Sequence, residues 1–358
     1  MKVIQLIDSL ELGGTERVAV NYANALVNCT DGSFLCATRK EGLLKGNLLN
    51  GVGYLFLDKT STLDLKAVFK LNSYIKKHRI TLVHAHSTSY FLGTMMKLLN
   101  PKLILIWHDH YGNSDYLSKR PKWILKCSAL FFNHVICVNT KLKHWAKEHL
   151  KVNTVSYLPN FAQLNEAKPV TKLQGEPGKR MVCLANLRPQ KDHINLLNGF
   201  KLLVEKYDTW TLHLVGQDFE DAYSNAVKRF ISENNLAHCV FLYGSCSDTL
   251  HVLKQSDIGV LASKSEGLPL ALLEYGLAGL PVVVTNVGDC KKVISTADDG
   301  ILIEPEREDL LAAALVRLIE NKDLREFMGQ NLKRKVTHDF SEASMIDKLM
   351  CIYKKYDS

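Results

Sequence analysis

Short apolar runs alternate with amphipathic stretches along the whole chain. Lys2-Val-Ile-Gln-Leu-Ile reads as a strand, followed by the loop Leu12-Gly-Gly-Thr-Glu and a helical stretch carrying Val18, Tyr22 and Leu26. Thr81-Leu-Val-His-Ala precedes a loop and a helix through Tyr90 and Met95, and Leu103-Ile-Leu-Ile-Trp and His134-Val-Ile-Cys-Val are two further strands. Continuous apolar runs alternating with helices predict a parallel sheet covered on both faces. Between about residues 166 and 180 the chain becomes rich in Pro, Gly and charge and loses its period, which predicts a linker. The pattern then restarts with Met181-Val-Cys-Leu-Ala, Thr211-Leu-His-Leu-Val-Gly, Cys239-Val-Phe-Leu-Tyr-Gly, Ile258-Gly-Val-Leu-Ala and Pro281-Val-Val-Val-Thr. The expected architecture is two doubly wound α/β domains in tandem, over residues 1–168 and 169–339. A length of 358 residues, about twice that of a usual single domain, agrees with this.

Composition narrows the class. Hydrophobic content of 46% and charged content of 23% suffice for two ordinary cores. No stretch approaches the roughly 18 uninterrupted apolar residues of a spanning helix, and the first ten residues read as a strand rather than a signal peptide. Nine cysteines, scattered and never spaced Cys-x-x-Cys, read as reduced thiols, so a cytoplasmic location is expected. The net charge of +8 is uneven, with 22 Lys+Arg against 11 Asp+Glu in residues 1–170. Such a basic first half suggests an anionic partner.

Open α/β sheets bind ligands beyond the carboxyl ends of their strands. Two such domains would face each other across a cleft, and the unusual residues here sit in loops that follow strands. Glu266-Gly-Leu-Pro-Leu-Ala-Leu-Leu-Glu274 follows the strand at residues 258–262. Pro269 suits a first helical turn and Gly267 a close backbone approach. The free N–H groups and dipole of such a helix start suit a diphosphate, leaving the two carboxylates to hold hydroxyls. Read alone, the segment has a plainer alternative, a capped surface helix with incidental acids. Arg188-Pro-Gln-Lys191 follows residues 181–187 and could clamp a pyrophosphate and stabilise a departing nucleoside diphosphate; alone, it could be a solvated turn. Gly13-Gly14 reads first as a tight turn. His84, His86, His108 and His110 cluster after two strands; a zinc site is conceivable, but it explains neither the Arg/Lys pair nor the helix start.

Glu-x7-Glu in a Glu-Gly-Leu-Pro setting, followed by Ala278-Gly-Leu-Pro-Val-Val-Val-Thr and Asn286-Val-Gly-Asp, resembles the family 4 glycosyltransferases. The resemblance implies a GT-B fold of two Rossmann-like domains. It also implies retaining transfer of a hexose-type sugar from a UDP- or GDP-linked donor to a hydroxyl of a glycan or lipid-linked acceptor. Surface polysaccharide or glycolipid synthesis of the bacterial type is the setting, with no metal required. By resemblance, Glu266 contacts donor sugar hydroxyls together with the backbone of Gly267, Leu268, Pro269 and Leu270, and Glu274 binds the ribose. Arg188 and Lys191 take the diphosphate, although the usual Gly-Arg-Leu is here Ala185-Asn186-Leu187 with its Arg two positions later. Gly14 approaches the donor phosphate, and Glu16 is structural or on the acceptor side. Gly216 lies in the loop after the second strand of the second domain, and Tyr243 borders the base. His108 lies near the anomeric carbon, orienting the sugar or accepting the hydrogen bond of the incoming hydroxyl. Asp109 fixes its tautomer or meets the acceptor, while His84, His86 and His110 stand on the acceptor side. Leu158-Pro159-Asn160-Phe161 stands where the family has Pro-Asn-Gly, and the helical tail at about residues 340–358 crosses back onto the first domain.

Lys119-Arg-Pro-Lys-Trp-Ile-Leu-Lys126 places four cations around Trp123, Ile124 and Leu125, and Lys141, Lys143, Lys147 and Lys151 follow. Cations beside Trp and Leu suit a peripheral contact with anionic membrane, against the alternative of a solvated face. Nucleic acid is not indicated, since no binding motif accompanies the charge. The rival readings are a GT-B sugar-nucleotide epimerase and a catalytically silent nucleotide-sugar-binding protein or membrane scaffold.

Overall fold

In the computed structural model the chain divides into two compact units, Met1–Phe161 with Glu342–Ser358, and Ala162–Ser341. Residues 1–114, 116–163 and 168–356 are described, with the backbone alone at Lys119. Both units have a parallel sheet, and together they form the two-domain α/β GT-B fold expected from the sequence.

The first unit carries β1 (Lys2–Ser9), β2 (Gly32–Lys40), β3 (Val52–Phe56), β4 (Leu82–His86), β5 (Ile104–Asp109), β6 (His134–Cys137) and β7 (Val155–Tyr157), in the order β3-β2-β1-β4-β5-β6-β7. Between them run α1 (Gly14–Ala25), α2 (Leu65–His78), α3 (Tyr90–Leu99), α4 (Trp123–Ala129) and α5 (Thr140–His149). Successive side chains of a strand point to opposite faces. Ile4 and Leu6 of β1, Val83 and Ala85 of β4, and Leu105 and Trp107 of β5 therefore enter one core with α2, α3 and α4. The alternate positions, Gln5, His84, His86 and His108, are left to the other face. The register makes them neighbours, since Gln5 pairs with His84 and His86 with His108.

The second unit is a six-stranded sheet in the order β10-β9-β8-β11-β12-β13. Its strands are β8 (Arg180–Leu184), β9 (Thr211–Val215), β10 (Val240–Gly244), β11 (Ile258–Leu261), β12 (Val282–Thr285) and β13 (Ile301–Ile303). Its helices are α6 (His193–Val204), α7 (Ala222–Glu233), α8 (Thr249–Lys254), α9 (Leu270–Ala278), α10 (Cys290–Val293), α11 (Glu308–Glu320) and α12 (Lys322–Asp339). The expected linker behaves differently from its composition. Residues 164–167 lie outside the described residues, but the stretch from residue 168 to 180 is strapped to this unit. Asp248 accepts from the Val170 and Thr171 amides at 2.8 and 2.7 Å. Arg180 Nη2 donates to Gly175 O at 2.7 Å, and the Gln174 amide donates to the Tyr243 hydroxyl at 2.9 Å. Pro and Gly here make an irregular segment with its hydrogen bonds met by neighbouring side chains, not a free tether.

The last helix, α13 (Glu342–Lys354), belongs to the first unit. Its fully buried Tyr353 reaches His84, and Tyr356 just beyond donates to Asn133 O at 2.8 Å. Among the described residues no helix is long and apolar enough to cross a membrane.

Helix α9, which follows Glu266, is fixed from two sides. On the sheet side the Tyr275 hydroxyl accepts from the Leu184 amide at 2.7 Å. Gly259 of β11 leaves room for the ring, because a Cβ there would come within 2.7 Å of it. On the outer side α12 packs against α9, and a Cβ on Gly329 would lie 2.1 Å from Gly279 O. Backbone cannot yield as a side-chain tip can, so Gly329→Val is expected to destabilise the protein by about 1–3 kcal/mol. Urea unfolding at neutral pH measures this, and an unchanged midpoint would refute the close approach.

Candidate functional site

The carboxyl edge of the second sheet gathers the residues expected at a donor site. Lys191 Nζ donates to Glu266 Oε1 at 2.5 Å, and Ser263 Oγ donates to the same oxygen at 2.7 Å. Thr285 Oγ1 holds Ser263 in turn, donating to its carbonyl at 2.6 Å. The loops after β8 and β11 thus meet at one carboxylate, and the end of β12 holds Ser263 in place behind it. The Asn286-Val-Gly-Asp turn lies against the backbone at Glu266: the Asp289 amide donates to Gly267 O at 2.9 Å. Gly288 has φ +55°, and a Cβ there would come within 2.3 Å of Glu266 O, so only glycine suits this position.

Helix α9 begins at Leu270, with Pro269 as its N-cap residue and no side-chain cap. The sequence expectation put Pro269 inside the first turn; it stands one position earlier, extended at ψ 124°. The Leu272 amide donates to Pro269 O at 3.2 Å, while no side-chain cap covers the Leu270 and Ala271 amides of the first turn. Glu274 sits inside α9 and is buried. Gly267, Leu268 and Leu270 line the same turn, with Leu268 and Leu270 buried.

Arg188 and Lys191 part company. Arg188 is exposed and its guanidinium lies 4.0 Å from the centre of the Phe219 ring, in the loop after β9. Phe219 does not stand out in the sequence; the Gly216-Gln-Asp-Phe loop gives its position but not its partner. Gly216 is required because a Cβ would meet Ala185 O at 2.1 Å. The Gln217 amide donates to Asn186 Oδ1 at 2.8 Å, which ties the β8 and β9 loops together. Tyr243, expected beside a base, spends its hydroxyl on the Gln174 amide and on His213 at 3.1 Å.

In the first unit the four histidines form one stack. His84 and His86 lie 4.5 Å apart at 18°, His84 and His108 5.2 Å apart at 15°, and His108 and His110 4.0 Å apart. His84, His86 and His108 are fully buried, whereas the sequence placed His108 at an open edge facing the sugar. His84 Nδ1 meets the Tyr353 hydroxyl at 2.5 Å, and His84 Nε2 shares a hydrogen bond with His108 Nδ1 at 3.2 Å. His86 Nε2 donates to Gln5 Oε1 at 2.8 Å, and His86 Nδ1 meets His110 Nε2 at 3.0 Å. Tyr22 of α1 covers the stack, 5.8 Å from both His84 and His108, and is itself met edge-on by Phe161. Phe161, where the family has Gly, is therefore a core residue.

Ligand atoms of His84, His86 and His108 lie within 4.8 Å of one another, so these three could be brought around a metal ion. Nearly parallel rings do not aim their lone pairs at one point, however, and an ion would have to displace the bonds to Tyr353, Gln5 and His108. The donor set fits a hydrogen-bonded stack better than a metal centre.

Asp109 does not serve His108. Its carboxylate accepts from Arg120 Nη1 at 2.7 Å and Nη2 at 2.8 Å, and the guanidinium is packed against Trp107, Tyr111 and Trp145. Both partners are buried, so Arg120 is not part of an exposed basic face, contrary to the sequence reading. Glu16 folds back on its own loop: a Cβ on Gly13 would meet Glu16 Oε2 at 2.2 Å, and Ser9 Oγ donates to Oε1 at 3.3 Å. Burial raises its carboxyl above the ordinary value. Gly14 opens α1 with nothing within 4 Å of a built Cβ, so a ligand's approach and not packing would be its constraint.

Fold and site together define a two-domain nucleotide-sugar enzyme of the GT-B class. Two family models abut along the chain, "Glycosyltransferase Family 4" over residues 12–166 and "Glycosyl transferases group 1" over residues 165–335. The chain belongs to the family 4 glycosyltransferases. It is 26% identical to the UDP-Gal:alpha-D-GlcNAc-diphosphoundecaprenol alpha-1,3-galactosyltransferase of Escherichia coli, over 96% of this chain and 94% of that one. An uncharacterized glycosyltransferase of Haemophilus influenzae is 24% identical over 94% of both chains. Among solved structures, Anabaena Alr3699/HepE in complex with UDP and glucose superposes with a TM-score of 0.83 at 17% identity, covering 99% of each chain.

Burial drives His84, His86 and His108 well below the ordinary imidazole pKa and His110 to about 3. A folded-state pKa below the unfolded value means the neutral ring is favoured on folding. That contribution is complete above about pH 6.5 and is lost as pH falls toward the folded values. Each ring held neutral should cost about 1.4 kcal/mol of stability per pH unit below 6.5. Urea midpoints that stay level between pH 7.5 and 5 would contradict the buried neutral stack.

Proposed function

We propose that this glycosyltransferase is a retaining, metal-independent hexosyltransferase that moves a sugar from a UDP-sugar to a hydroxyl of a lipid-linked glycan in surface polysaccharide or glycolipid synthesis. The observation that carries the reading is the Lys191–Glu266–Ser263 cluster beside the uncapped start of α9. An ammonium has three hydrogens, and the bond to Glu266 uses one, so Lys191 can still donate to a diphosphate. Arg188, held over Phe219, supplies the second cation, and the first-turn amides supply neutral donors. These groups draw off the negative charge that grows on the leaving diphosphate, the work a metal ion does elsewhere. Glu266, placed by Lys191 and Ser263, is then oriented toward sugar hydroxyls, and Glu274 toward the ribose.

UDP is put ahead of GDP because the E. coli relative uses UDP-Gal. Its name also specifies an alpha-1,3 linkage; because UDP-galactose as a chemical carries its sugar alpha-linked, that product supports front-face displacement with retention. The same relative's acceptor, a sugar-diphosphoundecaprenol, supports a lipid-diphosphate-linked acceptor. The matching assay is galactose transfer from UDP-galactose to N-acetylglucosaminyl-diphosphoundecaprenol. Lys191→Ala is expected to lower kcat at least about a hundredfold while the fold survives. Near-normal turnover by the variant, or no binding of UDP to the native protein at millimolar concentration, defeats the donor-site assignment.

Peripheral membrane contact is supported by one feature of the first unit. Trp123 of α4 is 79% exposed and stands beside exposed Ile124 and Leu130, with Lys122 and Lys126 around them. Indole and aliphatic groups at a charged surface suit the interface of an anionic bilayer, where each nearby cation contributes about 1 kcal/mol. Replacing Trp123, Lys122 and Lys126 by Ala should release the protein from phosphatidylglycerol vesicles, in cosedimentation at low salt. Equal sedimentation of native protein and variant would remove this reading.

A further inference from the structure

Of the four stacked histidines, only His110 is not fully buried, and its Nδ1 makes no hydrogen bond among the described residues. His84 and His86 are used up inside the unit, His84 on Tyr353 and His108, His86 on Gln5 and His110, and the remaining ring nitrogen of His108, Nε2, is sealed inside with no hydrogen-bond partner among the described residues. The direction of the outer relay can be read from its inner end. Gln5 Oε1 is an amide carbonyl and can only accept, so His86 Nε2, 2.8 Å away, must carry the hydrogen of that ring. A neutral imidazole has one N–H, which leaves His86 Nδ1 bare. The hydrogen bond of 3.0 Å between His86 Nδ1 and His110 Nε2 is therefore donated by His110. His110 in turn spends its one hydrogen inward, and its Nδ1 is left as a lone-pair acceptor at the carboxyl edge of the first sheet.

We propose that Gln5 is a positioning residue which, through His86, fixes the tautomer of His110, and that the bare His110 Nδ1 accepts the hydrogen bond of the incoming acceptor hydroxyl and so orients it. As the hydroxyl oxygen bonds to the anomeric carbon and the bond from that carbon to the diphosphate breaks, the proton goes to the departing diphosphate and the ring stays neutral. The role toward the hydroxyl rests on the proposed glycosyl transfer; the tautomer does not. Gln5 sits on β1 with its side chain fully buried and touches no reacting atom in this scheme. The opposite tautomer of His110 would present an N–H to a hydroxyl that needs to give up its hydrogen, which is the wrong polarity for attack. The proposal moves the acceptor-facing nitrogen from His108, the choice from sequence, to His110, two residues further along the same face of the sheet edge.

The test uses the full chain labelled with 15N-histidine. Long-range 1H–15N spectra at pH 7.5 should show His110 protonated on Nε2 and bare on Nδ1. Gln5→Met keeps the volume but removes the carbonyl, and should give His110 signals of both tautomers. Its kcat for galactose transfer from UDP-galactose should drop about tenfold, with the donor KM unchanged. Gln5→Glu keeps an accepting oxygen and should restore the native tautomer and most of the rate. A native spectrum with the hydrogen on His110 Nδ1 overturns the proposal, and so does a Gln5→Met spectrum identical to the native one. A changed tautomer with unchanged kcat overturns the role of His110 in accepting the hydroxyl. Native protein that fails to turn over the galactose pair overturns the proposed reaction and leaves the tautomer, read without substrate, standing.

Discussion

An ammonium and a carboxylate 2.5 Å apart, Lys191 and Glu266, are the interaction on which the candidate site of the second unit depends. Glu266 is buried, and a lone charge in such a place would cost several kcal/mol. Lys191 and Ser263 offset that cost at the same oxygen, and the arrangement can exist only because three strand ends arrive together. The sheet order puts β8, β11 and β12 side by side, so their loops converge by topology and need no long-range search. Thr285 and Gly288 then fix the backbone at Ser263 and Glu266, where a side chain on residue 288 would collide with a carbonyl.

The first unit meets the same difficulty, polar groups inside a sheet edge, by the opposite means. It keeps its buried ionisable groups neutral. Strand alternation sends Gln5, His84, His86 and His108 to one face, and parallel register brings them abreast. Desolvation penalises the charged imidazole, and neighbouring histidines add to that, so the stack is a set of neutral donors and acceptors. Neutral rings pass hydrogen-bond polarity from one to the next, which charged side chains cannot do. Asp109 is the exception, since on the neighbouring position of β5 it faces the other side and is ionically matched by Arg120.

Much of this was legible in the sequence, and the divide follows a physical line. Apolar runs marked β1, β4, β5, β6 and β8 to β12, because most of their positions are apolar even where single polar residues such as Gln5, His84 and His213 interrupt the run. The segments at β2, β3, β7 and β13 gave no such signal: β7 and β13 have three residues each, and β2 mixes in Ser33, Thr38 and Arg39. Glu266, Lys191, Arg188 and Gly216 were legible because a strand-loop-helix pattern fixes where they stand. Partner choice was not. Nothing local in the sequence says that Asp109 takes Arg120, eleven residues on, or that Arg188 rests on Phe219. Nor does it say that His108 is sealed under Tyr22 while His110 is not. Those are tertiary outcomes of which helix covers which face. The Pro/Gly-rich stretch misled for a related reason, since composition reports the absence of regular structure and not the presence of anchors such as Asp248.

Arg120 also changes how the basic half should be weighed. Counted along the chain it belongs to the cation run before α4; in the fold it is cancelled by Asp109 and enclosed by three aromatic rings. The basic surface that remains is smaller and more specific. Helix α4 has seven residues, too few to be stable alone, and it is held by Leu125, Ser128 and Ala129 on its buried side. Trp123, Cys127 and Leu130, spaced four and three apart, fall on the other side, where folding gains little from them. Trp123, 79% exposed between Lys122 and Lys126, buries little of its indole in the first unit, so what remains of the basic surface is two lysines around an exposed apolar helix face and not a continuous cationic stripe.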